Sequence, residues 1–192
     1  MHTIVTTALM GFFLLSGISS PKVQHIAPGA EVAPQREALQ THTVLLTGYN
    51  AVPEQTNDDP FTTASGAYSN PEIVIARSRD MADELPYGTV VEIAAREGTP
   101  SGSCGIEVVE HLIGLRVVAD TMHPRKKNQM DIMFPVDTKV SIRGKEVNPA
   151  VALGICRDVE VRVVGKVDIR GIPRTQTELA AALNRASLAA RN

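Results

Sequence analysis

Tryptophan is absent, and only three Tyr and four Phe occur in 192 residues. A core with so few rings has to be aliphatic, and the runs VLLTGY, IVIA, TVVEIA, LRVVA and VEVRVV supply the Val, Ile and Leu for it. An excess of either charge is missing too. The 19 Lys and Arg against 21 Asp and Glu leave a net charge of −2, which gives no sign of the clustered basic face that nucleic-acid binding needs. No nucleic-acid partner is expected. No apolar run reaches the ~20 residues of a comfortable membrane span. The chain is long enough for one domain with its own core plus tails.

Residues 4–18 are apolar or small and carry no charge, and Ser19, Ser20 and Pro21 follow. That pattern suits a secretory hydrophobic region, so 1–20 is expected to be a signal peptide. The alternative is an uncleaved N-terminal anchor that tethers the protein to a membrane. Either places the protein outside the cytoplasm, in the periplasm, cell envelope or extracellular space. No Cys lies near the end of the run, which argues against a lipoprotein anchor. The only two cysteines are Cys104 and Cys156. An even count in an exported chain permits one disulfide between them. The competing reading is two unrelated thiols, one in a Gly/Ser loop and one at a strand edge.

Residues 21–41 are rich in Pro, Ala, Gln and Glu and read as a flexible linker. From 42 to 168 short β-rich runs alternate with turns. Strands are expected at about 42–49, 73–77, 89–95, 106–110, 114–119, 130–134, 138–142 and 158–168. The polar interval 50–71, with Pro53, Pro60, Gly66 and Pro71, reads as a long surface loop of the kind that carries function. Short helices are expected at 79–85 and at 149–153, the second with Asn148 as N-cap, Pro149 at its first position and Gly154 after its end. Thr175 and Glu178 have capping-box spacing at the head of an Ala/Leu-rich helix over 174–191. Many short strands with little helix predict a mainly β, compact barrel.

The stretch VVADTMHPRKKNQMDIMF (117–134) concentrates the chemistry. Asp120 follows a buried-looking strand, and alternation turns Asp131 away from Met130 and Ile132. Two carboxylates at the end of one strand and inside the next can share a rim. A carboxyl flanked by apolar residues, with a like charge nearby, is pushed toward the raised pKa of a general acid. On spacing alone, the stronger reading is that both are barrel-edge aspartates that accept hydrogen bonds from turn amides. A cation would have to be held by Asp120, His123, Asp131 and His111, which lack the usual Cys/His ligand spacing, so no metal is expected.

The blocks LTGYNAVPEQTNDDPFTTASG (46–66), LPYGTVVEI (85–93) and VVADTMHPRKKNQMDIMF, in this order, resemble the 3D domain, a family named for three aspartates. It belongs to the double-psi β-barrel superfamily and occurs in membrane-bound lytic transglycosylase A-type enzymes and bacterial cell-wall proteins. Thr47-Gly48-Tyr49, Thr63-Ala64-Ser65-Gly66, Pro86-Tyr87-Gly88-Thr89 and Ala119-Asp120-Thr121 with Asp131 carry the likeness, which covers about 44–165. It implies a six-stranded double-psi β-barrel with short helices and a C-terminal α-helix. It further implies that Asp131 is the acid/base and Asp120 its partner, on peptidoglycan or a related glycan. Cleavage would give a 1,6-anhydro end and needs no cofactor. Tyr49, Thr63, Ser65, Asp80, Thr121 and Arg125 are the candidate substrate contacts, with Asp83 a rival to Asp80 for the family's first aspartate. Lys126 and Lys127 stand as possible partners for muramoyl or stem-peptide carboxylates. Met122 replaces the family's glycine, and HPRKKN replaces its usual turn. No segment reads as the second, cleft-closing domain of the larger transglycosylases. The alternative to a glycan-cleaving enzyme is a non-catalytic glycan-binding barrel.

Overall fold

The structure, a computed structural model, describes residues 40–56, 59–94 and 104–189. The expected signal or anchor segment 1–20 lies outside these residues, as does the linker 21–41 except for its last two positions. Eight strands, β1 (Thr41–Asn50), β2 (Val74–Arg77), β3 (Thr89–Ala94), β4 (Arg116–Thr121), β5 (Gln129–Phe134), β6 (Val140–Ile142), β7 (Lys145–Val147) and β8 (Cys156–Lys166), are joined by three helices. These are α1 (Ile106–Ile113), α2 (Pro149–Leu153) and α3 (Gln176–Ala189). Six of the strands close into a barrel in the order β1-β5-β2-β4-β3-β8, and β6 and β7 form a separate hairpin. The barrel is mixed. β1 pairs with β5 and β2 with β4 in parallel, and β2 meets β5 antiparallel between them. Each parallel pair requires the chain to cross over before returning, and the arrangement is consistent with a double-psi barrel.

Strand alternation fills the interior with aliphatic side chains. Val44 and Leu46 of β1, Ile75, Val118, and Met130, Ile132 and Phe134 of β5 all belong to the main core. Gly48 continues the inward face of β1, where a Cβ would stand 2.8 Å from the Phe134 ring and 3.0 Å from the Ala150 Cα. Only a residue without a side chain lets α2 lie this close. Asn148 caps α2 by accepting a bond from the Ala150 N–H at 2.9 Å, as its sequence position predicts. At the head of α3 the Thr175 hydroxyl accepts from Glu178 N–H, and the Glu178 carboxylate reaches back to the Arg174 N–H. The expected cap is therefore present, with the reciprocal bond displaced by one residue. Leu179, fully buried, and Leu183 dock α3 on the barrel against Ile73, Val90 and Val117.

Two element expectations are corrected. Residues 106–110 form the first part of α1 rather than a strand. The apolar positions 106, 109 and 113 follow the helical spacing, which becomes readable only when the run is followed to Gly114, whose φ of +53° ends it. The helix expected over 79–85 is a single 3-10 turn, Arg79–Met81, followed by turns before Pro86. Cys104 and Cys156 form a disulfide with Cα atoms 5.2 Å apart. It ties the lead-in of α1 to the first residue of β8.

Arg116, at the start of β4, is 1% exposed. Its guanidinium donates to the carbonyls of Leu112 (2.6 Å), Ile113 (2.6 Å), Pro71 (2.7 Å), Met133 (3.2 Å) and Val74 (3.3 Å). Burial lowers its pKa to about 10, so the group stays charged at neutral pH. Leu112 and Ile113 are in the last turn of α1, where carbonyls lack intrahelical partners and a cation is favoured. Arg116→Met should therefore strand several buried acceptors and lower the unfolding free energy by roughly 3–5 kcal/mol. Arg116→Lys should lose less. Urea unfolding of both variants checks this, and a loss under ~1 kcal/mol for Arg116→Met would show that the carbonyls find other donors.

Candidate functional site

The outward faces of β1, β2, β4 and β5 form the floor of a cleft of about 430 Å³. On β5 the inward Met130 and Ile132 leave Asp131 facing out, as alternation predicts, and half-buried. β4 does not alternate simply. Val118 points into the core, so the second residue after it would normally point inward too. A register shift between β2 and β4 changes this: Ile75 pairs with Val118, and the next residue, Ala76, pairs with Asp120. Ala119 is the extra residue of a bulge, and the bulge re-aims Asp120 onto the cleft. Ala76 pairs on its other side with Asp131. The two carboxylates thus stand one on each side of a methyl group, two inter-strand steps apart, which is on the order of 10 Å between Cα atoms.

Their surroundings differ. Asp120 accepts the Tyr49 hydroxyl at 2.7 Å, Ala64 N–H at 2.9 Å and its neighbour Thr121 N–H at 2.8 Å. Three donors converge on it. Asp131 accepts one side-chain bond, from the Thr47 hydroxyl at 2.9 Å, and Thr47 in turn accepts from Gln129 Nε2 at 3.2 Å. Burial pushes the Asp131 carboxyl up to about 6, against the Thr47 hydrogen bond and the Lys126 charge, with a further upward push from Asp120. The Tyr49 phenol is held well above its ordinary value, first by burial and then by the adjacent Asp120 carboxylate, so it remains a donor. Beneath the pair, Tyr49, Ala76, Ala119, Met122 and Met133 make an apolar layer. Met122 packs into this layer, and its backbone N–H is bound by the Arg77 carbonyl at 2.9 Å.

The structure brings together Asp120, Asp131, Tyr49, Thr63 and Thr121 around one cleft. Thr63 and Ser65 have their hydroxyls 3.0 Å from one another, and Thr63 also bonds the Ala67 carbonyl. They build the turn that presents Ala64 N–H to Asp120. The Thr121 hydroxyl meets that of Tyr87 at 2.5 Å. Asp80 is not among the residues lining the cleft; it accepts from Asn128 N–H at 3.0 Å, and its pKa is lowered chiefly by the Ser78 hydroxyl. Its task is to pin the 123–128 turn, whose last residue, Asn128, sits at φ 46°. Asp83 is exposed. Arg125 is exposed and does not line the cleft, and Lys127 lies beside Asp80. His123 and Lys126 do line it, whereas His111 sits on α1 away from it. Among the described residues no group of three or more His, Cys, Asp or Glu is placed to hold a metal ion.

Thr47, Gln129, Ala76 and Arg79 were not singled out as site residues from the sequence. Thr47 was within reach, since alternation along β1 puts it on the same face as Tyr49. Arg79, which lines the cleft, carries no motif, and Ala76 matters only through its two pairing partners.

No family model matches the chain, and no curated protein matches it. Among solved structures, a mutant expansin from Clavibacter michiganensis in complex with cellohexaose is similar at 18% identity and a TM-score of 0.29. The match covers 70% of this chain and 54% of that one, so it spans about half the expansin's length.

A carboxyl whose folded pKa is raised favours the fold when protonated. With a folded value of about 6 against an unfolded one of about 3.9, its contribution is full below pH ~4 and is lost as pH rises through ~6. Asp131→Asn removes this dependence. The variant should therefore gain roughly 1–3 kcal/mol over the parent at pH 7.5 relative to their difference at pH 4. Urea unfolding of both proteins at the two pH values measures it, and a difference that does not change with pH would refute the raised carboxyl.

Proposed function

We propose that the protein is an exported enzyme that cleaves glycan strands of the cell wall, with Asp131 as the acid and then the base. One observation carries the reading: a half-buried carboxyl raised to about 6 faces a cleft opposite a second carboxylate that three donors hold in place. At pH 7 about a tenth of such a group is protonated, and its proton has a strong tendency to leave. Protonation of the glycosidic oxygen by Asp131 would break the bond to the muramoyl C1. The same carboxylate, now ionised beside Lys126, would accept the proton of the muramoyl 6-hydroxyl as that oxygen closes on C1. A 1,6-anhydro end forms, no water enters, and the proton count balances. Asp120 would stabilise the positive charge that develops at the anomeric centre. The four sequence blocks that resemble the 3D domain support the same assignment of roles.

Arg79 and Lys126 line the cleft together with Glu54 and Asp59, and the two cations offer partners for the carboxylates of muramoyl units and their stem peptides. A spacing of two strands between the aspartates also suits a bound water, in which case the outcome would be inverting hydrolysis, whose carboxyl separation is ~6.5–9.5 Å. The non-catalytic reading, a barrel that only binds glycan, is favoured by Met122, which stands in the cleft lining at the position where the 3D domain that the chain resembles carries glycine.

Incubation of the protein with purified peptidoglycan, followed by mass analysis of the released muropeptides, separates these outcomes. Anhydro-muropeptides are expected, with a fall of roughly 10²–10⁴-fold in Asp131→Asn and a rate that declines as pH rises above about 6, because the acid must be protonated. Reducing ends instead would reassign the reaction to hydrolysis. Sedimentation with the wall and no release would leave the binding module.

A further inference from the structure

Five aromatic rings fall within the described residues. Tyr49 and Phe134 are buried, and Tyr87 stacks under the Arg77 guanidinium at 4.9 Å. The other two, Phe61 and Tyr68, are 68% and 66% exposed on a single turn. In a chain this poor in aromatics, two rings left in water so close together call for an explanation. The turn itself is firmly built. Thr62 and Tyr68 form an isolated antiparallel bridge, Thr63 N–H binds the Ala67 carbonyl at 2.8 Å, and Ser69 N–H binds that of Phe61 at 2.9 Å.

This turn separates two depressions. Thr63 and Ala64 line the carboxylate cleft, while Ser65, Gly66 and Ala67 line a second depression on the far side. Tyr68 and the segment 169–174 complete that second depression, of about 410 Å³. Its outer wall is anchored: Asn70 Nδ2 donates to the Arg174 carbonyl at 2.7 Å, and Arg174 N–H is held by Glu178 at 2.8 Å. Arg170 is already paired with Asp168 at 3.1 Å. The Arg174 guanidinium makes no hydrogen bond or ion pair among the described residues. A planar, apolar face and an uncommitted guanidinium therefore border one hollow that adjoins the cleft.

We infer that this hollow is a second saccharide subsite, which takes the carboxylate-bearing glycan strand where it leaves the cleft over the Ser65–Gly66 tip. Tyr68 stacks against the C–H face of a sugar ring, and Arg174 binds a carboxylate of the lactyl group or stem peptide through its fork of donors. At Gly66, with φ +83°, an added Cβ meets nothing within 4 Å, so the tip leaves room for a strand to pass. The inference rests on the glycan-strand reading of the cleft and adds length and charge selectivity to it.

The test is a binding titration of the full chain carrying Asp131→Asn, which suppresses turnover, with muropeptide fragments of one and of three disaccharide repeats. N-acetylglucosamine oligomers of matching length serve as uncharged probes. The longer muropeptide should bind roughly five- to tenfold more tightly than the single repeat, the gain expected of one stacked ring. Tyr68→Ala should abolish that gain for both ligand series. Arg174→Gln should weaken the muropeptide alone. Both positions are exposed, so unchanged melting temperatures would show that the variants fold. Length-dependent binding that survives both substitutions overturns the subsite and leaves the cleft reading intact. Tyr68-dependent binding by a parent protein that releases no muropeptides overturns the catalytic reading and keeps the subsite. Absence of binding to every fragment overturns both.

Discussion

Arg116 is buried and makes no ion pair among the described residues, and its charge is satisfied chiefly by carbonyl dipoles drawn from four separate parts of the chain. Removing a guanidinium from water is costly, and only close, numerous acceptors offset that cost. The acceptors are the end of α1, the turn at Pro71, β2 through Val74 and β5 through Met133. Of these, β2 and β5 are strands of the cleft floor, and the two aspartates are set on either side of β2. β4 carries Arg116 at its first position and Asp120 near its last, so one six-residue strand both locks its neighbours and presents a carboxylate to them. The register that places Ala76 between Asp120 and Asp131 depends on β2, β4 and β5 staying in place. Arg116 touches all three.

Much of this was legible along the chain because its determinants are local. The cap of α2 needs only Asn148, Pro149 and Gly154 in order, and the outward turn of Asp131 needs only Met130 and Ile132 around it. The mainly β barrel followed from the density of short Val/Ile-rich runs, and the N-terminal strand from 42–49. What resisted reading depends on partners distant in sequence. The bulge at Ala119 exists only in the pairing of β4 with β2, and without it alternation would bury Asp120. The hydrogen bond from Thr47 to Asp131 joins residues 84 apart. The disulfide was one of two open readings, because a sequence does not report the separation of Cys104 and Cys156. Residues 106–110 were misassigned for a different reason: over five residues, a helix with two adjacent valines and a strand look alike, and the period separates only over the full turn to Ile113.

The two aspartates also show why a pair of identical side chains need not share a role. Each faces the same cleft, and each lies beside Ala76. Asp120 is surrounded by donors supplied by three different elements: the Tyr49 hydroxyl, the 63–67 turn and its own strand. Asp131 has one hydroxyl donor, and that hydroxyl is itself oriented by Gln129. Desolvation is the largest influence on Asp131, and the single hydrogen bond and the Lys126 charge only partly oppose it. An added donor at Asp131 would favour the charged form and lower its capacity to protonate a substrate. The scarcity of donors there is consistent with an acid, as the three donors at Asp120 are with a carboxyl group held in one orientation.

Keeping Asp131 in that state costs stability at neutral pH, since an ionised carboxyl with a raised pKa disfavours the fold. A protein selected only for stability would place an asparagine or an apolar residue there. A poorly solvated carboxyl, beside a buried tyrosine whose hydroxyl is spent on the opposite aspartate, supports the proposed proton transfer over passive binding of sugar hydroxyls. A binding surface needs donors and acceptors of ordinary acidity, and Thr63, Ser65 and Thr121 would have served it had their hydroxyls not been committed to one another and to Tyr87. The polar groups nearest the carboxylates are thus used to hold the frame. Of the two carboxyl groups, Asp131 keeps the greater unused bonding capacity.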